Sequence, residues 1–240
     1  VHTRYNTSMI LLPQPAQAII NSLQSAGFEA YAIGGSVRDL LTGKTTKGWD
    51  FTTNATPQDL LKIFPDSYCD NQFGTVGIKI RDGKNKDIVL DIYEVTTYRS
   101  EKGYTDHRHP DKISWGKTLS EDLSRRDFTV NAIAFDGKNI IDPYDGQKDL
   151  ENKIIRTVGN PGDRFKEDAL RLMRAVRIAT EPGCTIDLQT FEAIKADVSL
   201  LSEISAERIR DEFLKLLASE FASDGIMLLK NTGILSLVLP

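Results

Sequence analysis

The sequence predicts an α+β fold in which a first part with a mixed β-sheet is followed by a second part built from helices. Three observations support this prediction. Short β-rich and helical segments alternate up to about residue 150, a hairpin pattern occupies residues 74–98, and the pattern is helical from about residue 163 onward. We therefore expect two domains, residues 1–155 and residues 156–240.

The composition fits a globular protein with its own core, since 40% of the 240 residues are hydrophobic and 27% are charged. The formal net charge is -4, so any contact with nucleic acid must come from local clusters of Arg and Lys. The sequence shows no signal peptide and no apolar run of membrane-spanning length. Its two cysteines share no metal-ligand spacing. We expect a cytoplasmic protein without membrane contact, whose apolar last residues indicate that the natural chain continues.

The first third of the chain alternates helix and strand. Residues 13–26 are predicted to be a helix ending at Gly27, and residues 29–33 a strand that leads into Gly34-Gly35 and a helix over 37–41. Residues 49–53 are predicted to be a second strand. The next helix should begin with Thr56 as its N-cap and Pro57 at its first position, and run to residue 64.

The middle of the chain carries the hairpin signal. Residues 74–81 and 87–98 are β-rich and flank a turn that contains Asp-Gly. Residues 99–112 are polar and aperiodic, which favours a loop. A short helix near 118–125 and an apolar strand over 130–135 should follow. The second, helical part should have breaks near 181–187 and 202–205.

The Gly34-Gly35 turn is a candidate phosphate-binding site. Glycine allows the backbone to approach a ligand closely, and the free N–H groups at the start of a helix attract anions. Arg38 adds a fork of donors that suits phosphate oxygens. A plain strand-turn-helix corner is the alternative interpretation of the same residues.

The predicted strand 49–53 is a candidate metal site. Alternation places Trp49 and Phe51 on one face and Asp50 on the other. In two-metal nucleotidyl transfer, acids at positions i and i+2 of such a strand bind Mg²⁺ together, and the ions align the attacking hydroxyl with the α-phosphate. The i−2 partner of Asp50 is Gly48, which offers no ligand. A solvated strand aspartate is therefore a serious alternative.

Residues 164–179 form a strongly amphipathic stretch. At about 100° per residue, one arc is apolar, and the polar arc carries Asp168, Arg171, Arg174 and Arg177. A solvated charged face with an i,i+3 ion pair is one interpretation. The other uses hydrogen-bond polarity, because a carboxylate only accepts and a guanidinium only donates. A fixed Asp–Arg pair suits the pairing edges of cytosine and adenine and disfavours those of uracil and guanine.

These motifs occur in one order that resembles the N-terminal part of the class II tRNA nucleotidyltransferases, the family of CCA-adding enzymes and bacterial poly(A) polymerases. The matching segments are residues 34–41 (GGSVRDLL), 49–51 (WDF), 94–99 (EVTTYR), 122–132 (DLSRRDFTVNA), 141–144 (IDPY) and 164–171 (RFKEDALR). The resemblance implies a nucleotidyltransferase head like that of DNA polymerase beta over residues 1–155, and a helical, base-recognising neck over 156–240. It also implies body and tail domains beyond Pro240.

The resemblance assigns roles to individual residues. Gly35, Arg38 and Arg126 would bind the nucleotide, Asp168 and Arg171 would read its base, and Arg174 and Arg177 would bind it further. The family's paired metal-binding aspartates correspond to Gly48 and Asp50, so Asp50 is the one catalytic, Mg²⁺-binding aspartate that remains. Asp91 or Glu94 would supply a further carboxylate, and at most one of them would face the site, because the two alternate to opposite strand faces.

The loop over residues 99–110 corresponds to the family's flexible loop, which is associated with switching from C to A addition. Its His107 and His109 form a His-x-His pair that is either a metal site or, as an exposed pair, simply solvated.

The implied function is template-independent transfer of CMP or AMP from CTP or ATP to the tRNA 3′ end, impaired by Gly48. The tRNA would be gripped mainly by the domains beyond Pro240. A poly(A) polymerase would usually have an arginine-rich run after the acid strand, and residues 64–73 have none. The alternative, favoured by Gly48, is an inactive nucleotide- or tRNA-binding module.

Overall fold

The structure is a computed structural model that describes residues 11–46, 48–69, 74–102, 112–116, 118–180 and 183–239. The chain forms two compact units. One unit comprises the described residues of 1–100, 113–125 and 131–144, and the other those of 101–112, 126–130 and 145–240. No helix in the described part of the chain is long and apolar enough to cross a membrane.

The elements up to Tyr144 alternate between helix and strand. In chain order they are α1 (Gln14–Ser25), β1 (Ala30–Ile33), α2 (Gly35–Leu41), β2 (Asp50–Thr53), α3 (Pro57–Ile63), β3 (Ser67–Cys69), β4 (Thr75–Arg81), β5 (Val89–Thr97), β6 (Arg99–Lys102), β7 (Lys112–Trp115), α4 (Leu119–Ser124), a 3₁₀ turn (Thr129–Asn131), β8 (Ala134–Phe135) and β9 (Ile140–Ile141).

Seven of these strands form one mixed sheet in the order β3-β4-β5-β2-β1-β8-β9. Strands β2 and β5 run parallel, and the other neighbouring pairs run antiparallel. The predicted hairpin of β4 and β5 and the α+β class are confirmed. Thr56 caps α3 as predicted, because its hydroxyl accepts from the Asp59 N–H while the Asp59 carboxylate accepts from the Thr56 N–H.

The second unit is mainly helical. Its elements from Asp145 onward are α5 (Gly146–Asn152), β10 (Ile154–Ile155), α6 (Pro161–Glu167), α7 (Leu170–Ala179), β11 (Thr185–Ile186), α8 (Leu188–Asp197), a 3₁₀ segment (Val198–Glu203), α9 (Ala206–Leu217), α10 (Ala222–Asn231) and α11 (Leu235–Val238). The short strands β10 and β11 pair in parallel, an addition to the predicted helices. The apolar arc predicted for residues 164–179 is confirmed, since Phe165, Leu172, Met173 and Val176 are fully buried.

Three local predictions are wrong. Residues 99–102, at the start of the predicted loop 99–112, form strand β6, which pairs with β7. The predicted strand 130–135 is a 3₁₀ turn followed by only two strand residues. The amphipathic stretch 164–179 is not one helix, because α6 ends before Asp168, whose backbone is extended. The Asp168 carboxylate accepts the N–H of Leu170, a local bond that competes with the helical pattern.

Candidate functional site

The candidate phosphate turn joins β1 to α2. Gly34 has a φ of 74°, a backbone conformation that a side chain would strain, so the turn needs glycine at this position. The Arg38 guanidinium is held in place by two neighbours. Its Nε and one terminal nitrogen donate to Asp39 at 3.0 and 2.9 Å, and the other terminal nitrogen donates to Asn131 at 2.9 Å. The donor fork predicted at Arg38 is therefore fixed before any ligand binds.

The predicted acid strand places Asp50 at the first position of β2. Asp50 is exposed, whereas Trp49 and Phe51 are 2% and 1% exposed, as the alternation predicts. Gly48 lies before the strand and has a φ of 72°, with no atom within 4 Å of the position that a Cβ would occupy. An aspartate at this position would find open space but a strained backbone, which Asp tolerates better than most residues.

The strand register distinguishes between Asp91 and Glu94. Glu94 lies directly opposite Asp50 in the parallel pair β2–β5, so the two side chains share one exposed sheet face. Asp91 lies three residues away, which puts it on the other face, and its carboxylate accepts the Ile92 N–H at 2.8 Å. In the part of the chain that the structure describes, no three His, Cys, Asp or Glu side chains are grouped as a metal site.

The two carboxylates on this face are enough protein ligands for a magnesium ion. Mg²⁺ commonly binds one or two protein carboxylates and completes its shell with water and substrate phosphates. Asp50 and Glu94, both exposed and in adjacent strands, supply two such groups. Gly48 supplies none, so this donor set is smaller by one than the set the resemblance implied. His107 and His109 lie outside the described residues.

In the second unit, each of four residues predicted to bind the base or nucleotide has an ion-pair partner. The pairs are Asp168–Arg208, Arg171–Glu167, Arg174–Asp127 and Arg177–Glu212. These partners were not predicted from the sequence. Other residues therefore fix the positions of Asp168 and Arg171. Arg208 pairs with Asp168, and Glu167 pairs with Arg171. The i,i+4 spacing of Arg208 and Glu212 on an amphipathic helix was the sequence signal for two of these partners.

Hydrogen bonds with these partners fix the orientation of the Asp168 and Arg171 side chains. Arg208 donates from both terminal nitrogens to Asp168, at 3.2 and 2.9 Å. Arg171 donates to Glu167 at 2.6 Å and to the Arg164 carbonyl oxygen at 3.2 Å. These contacts preorganise an acceptor and a donor three residues apart in the sequence.

The two remaining arginines anchor α7. Asp127 accepts from Nε and a terminal nitrogen of Arg174, and its charge raises the pKa of the Arg174 guanidinium above its ordinary value. Arg177 donates to the buried carboxylate of Glu212 at 2.6 Å. Asp127 follows Arg126 directly, so the motif that contains Arg126 is tied to α7 within this unit.

Comparisons with known proteins identify the family. The model of the "Poly A polymerase head domain" matches residues 30–156, and that of the "Probable RNA and SrmB- binding site of polymerase A" matches residues 183–240. A CCA-adding enzyme of Geobacillus thermodenitrificans is 45% identical over 229 residues, covering 95% of this chain and 54% of the relative. One of Ligilactobacillus salivarius is also 45% identical, over 215 residues, with 88% and 51% covered.

Solved structures are similar as well. The CCA-adding enzyme of Bacillus stearothermophilus in complex with CTP has a TM-score of 0.80 at 39% identity, covering 93% of this chain and 53% of that one. A tRNA nucleotidyltransferase with a primer tRNA and an incoming ATP analog has a TM-score of 0.75 at 27% identity, with 92% and 62% covered. This chain thus spans about half the length of the curated relatives it matches. The chain belongs to the family of the poly(A) polymerase head domain, whose members similar to it include CCA-adding enzymes.

Proposed function

We propose that the protein containing this chain transfers CMP or AMP from CTP or ATP to the 3′ end of tRNA in the cytoplasm. The observation that carries the proposal is the exposed pair Asp50 and Glu94. Asp50 lies on the strand next to β1, which leads into the phosphate turn, and Glu94 lies on the following strand. The relatives named CCA-adding enzymes, and the similar structures with CTP or with tRNA and an ATP analog, support the choice of substrates.

In the first unit, the backbone N–H groups at Gly35 and the start of α2, together with the fork of Arg38, would bind the triphosphate oxygens. Asp50 and Glu94 would hold Mg²⁺. When bound, that ion favours the deprotonated form of the attacking 3′-hydroxyl and neutralises charge on the leaving pyrophosphate. The new bond joins the 3′ oxygen to the α-phosphorus, and the bond to pyrophosphate breaks.

In the second unit, Asp168 and Arg171 would read the pairing edge of the base. A carboxylate has about four acceptor positions, and described residues use three on Asp168, two for Arg208 and one for the Leu170 N–H. The fourth position suits the amino group of cytosine or adenine. Arg171 would donate to the neighbouring ring nitrogen, while Arg126, Arg174 and Arg177 would add positive charge for the nucleotide.

Gly48 is expected to impair the chemistry more than the binding, because it removes a metal ligand and leaves the phosphate turn and Arg38 intact. The second candidate function is therefore a nucleotide- or tRNA-binding module without catalysis. The same observation at Gly48 favours it, and the two proposals differ in one measurable respect, incorporation of nucleotide.

The test uses the full-length protein, tRNA lacking its 3′ end, Mg²⁺ and labelled CTP or ATP. The unaltered protein is compared with Gly48→Asp, Gly48→Asn and Asp50→Ala. Asn has the shape of Asp and tolerates a left-handed backbone, but it lacks the charge, so it is the matched control. We expect incorporation to rise strongly with Asp, to stay low with Asn and to vanish with Asp50→Ala.

Equal incorporation by the unaltered protein and Gly48→Asp would refute the metal defect. Absence of incorporation in every form, with CTP still bound, would favour the binding module over the transferase.

A further inference from the structure

Asp50 and Glu94 belong to a row of residues that crosses four strands of the sheet. Asp50 lies opposite Glu94, Glu94 lies opposite Gly77, and Gly77 lies opposite Tyr68 on the edge strand β3. Residues directly opposite one another in a sheet project from the same face. The exposure agrees, because Asp50, Glu94 and Tyr68 are all exposed. An aromatic side chain therefore shares the face of the two carboxylates.

The Tyr68 ring lies over Gly77 and is fixed on one side. A Cβ built on Gly77 would lie 2.8 Å from Cζ and 3.1 Å from the hydroxyl oxygen of Tyr68, so the ring lies against the bare glycine backbone. Gly77 is buried, while Tyr68 remains 38% exposed. The ring reaches from β3 across β4, which brings its hydroxyl to about one strand spacing, roughly 4.8 Å, from the strand of Glu94.

The carboxylates lie between this ring and the phosphate turn. Asp50 pairs on its other side with Ile33, the last residue of β1, which leads directly into Gly34. The order along the sheet is therefore phosphate turn, Asp50, Glu94 and then Tyr68. In nucleotidyl transfer the attacking hydroxyl and the leaving pyrophosphate lie roughly in line on opposite sides of the reacting phosphorus. With the triphosphate on the side of Gly34, the attacking polynucleotide end belongs on the side of Tyr68.

We propose that Tyr68 is a positioning residue on which the terminal nucleobase of the acceptor RNA stacks. The inference rests on the proposed function, because it uses the phosphate turn to orient the reaction. A partly exposed ring suits a base of any identity, since every base has a π face. Lys79 supplies a cation over the ring, with Nζ 5.9 Å from the centroid, and its positive charge suits the RNA backbone.

The first experiment measures stacking without catalysis. Full-length protein is mixed with tRNA whose 3′-terminal residue is 2-aminopurine, a base whose fluorescence falls when it stacks. We compare the unaltered protein with Tyr68→Phe, which keeps the ring, and Tyr68→Leu, which keeps the apolar cover over Gly77. Quenching should persist with Phe and be lost with Leu. Equal quenching by the unaltered protein and the Leu variant overturns the proposal.

A second variant keeps Tyr68 and moves its ring. The added Cβ of Gly77→Ala would meet Cζ of Tyr68 at 2.8 Å, so the ring must leave its seat. We expect reduced quenching here too, which keeps the test decisive if Tyr68→Leu folds poorly. Unchanged quenching in Gly77→Ala, with the ring displaced, contradicts the proposal.

A kinetic readout separates positioning of the acceptor from binding of the nucleotide. In the Gly48→Asp background, Tyr68→Leu should raise the KM for acceptor tRNA about tenfold, or about 1.4 kcal/mol, and leave the KM for ATP unchanged. Equal rises in both KM values indicate a structural role and overturn the proposal. Tyr68-dependent quenching without any incorporation, in contrast, would sink the transferase proposal and leave the stacking role standing.

Discussion

The guanidinium of Arg208 donates two parallel hydrogen bonds, of 3.2 and 2.9 Å, to the carboxylate of Asp168, which lies 40 residues earlier in the sequence. Such forked pairs fix direction as well as distance. Asp168 lies in the break between α6 and α7, where no helix restrains its backbone. Arg208 on α9 is therefore the group that sets the direction of the acceptor proposed to read the base.

Replacing Arg208 with alanine is expected to weaken CTP binding about tenfold, because Asp168 loses the partner that orients it; that loss corresponds to about 1.4 kcal/mol. The dissociation constant of CTP measures this without requiring turnover. Arg210→Ala is the matched control, since Arg210 lies on the same helix, is 64% exposed and pairs with its neighbour Asp211. Identical dissociation constants for both variants would show that Arg208 does not position the base reader.

Replacing Arg171 with alanine is expected to loosen the preference for C and A over U and G, with little effect on stability. The stability should hold because Glu167 keeps a second partner, Arg164, at 2.7 Å. Competition of UTP and GTP against CTP for binding measures the preference, and urea unfolding measures the stability. Unchanged discrimination in a folded variant would refute the base-reading role of Arg171.

Replacing Asp127 with asparagine is expected to lower the free energy of unfolding by about 2 kcal/mol, because Arg174 loses the carboxylate that neutralises it in a half-buried position. The Asn side chain keeps the volume but has one acceptor oxygen, so it loses the charge and also one of the two bonds, from Arg174 or from the Phe128 N–H. Urea unfolding followed by helical circular dichroism checks the value. Asp211→Asn, at an exposed ion pair, should change the stability by only a few tenths of a kcal/mol.

Replacing Glu212 with glutamine is expected to destabilise the protein by about 2 kcal/mol at pH 7, because the half-buried charge of Arg177 loses the carboxylate that balances it. Burial alone would raise the pKa of the Glu212 carboxyl, but the charge of Arg177, the bond from Lys215 and the charge of Arg174 outweigh it and lower that pKa.

The sign of the pH effect follows from this lowered pKa. The stabilisation is complete above the unfolded-state pKa of about 4.3 and is lost as the pH falls through the folded-state value. The difference in unfolding free energy between the unaltered protein and Glu212→Gln should therefore be constant from pH 7 to about 5 and shrink below about pH 4. A difference that stays constant down to pH 3 would contradict this assignment.

Local patterns were good guides wherever one periodicity dominated. The alternation around Asp50, the hairpin of β4 and β5 and the apolar arc with Phe165 and Leu172 all follow from which side chains can be buried together. The predictions failed where a polar side chain competes with the backbone. At Asp168, a side-chain bond to the Leu170 N–H breaks a helix that hydrophobic periodicity alone would continue.

The sequence by itself determined the α+β class, the family resemblance and the types of residue available for chemistry, because motif spacing and periodicity are local properties of the chain. Only the tertiary structure decided which of these residues lie next to each other. The register of β2 and β5 selects Glu94 over Asp91, the packing of α9 gives Asp168 its partner Arg208, and the edge strand β3 brings Tyr68 into the row of the carboxylates. These contacts join residues far apart in sequence, and their pairing depends on how whole elements pack, which no local pattern records.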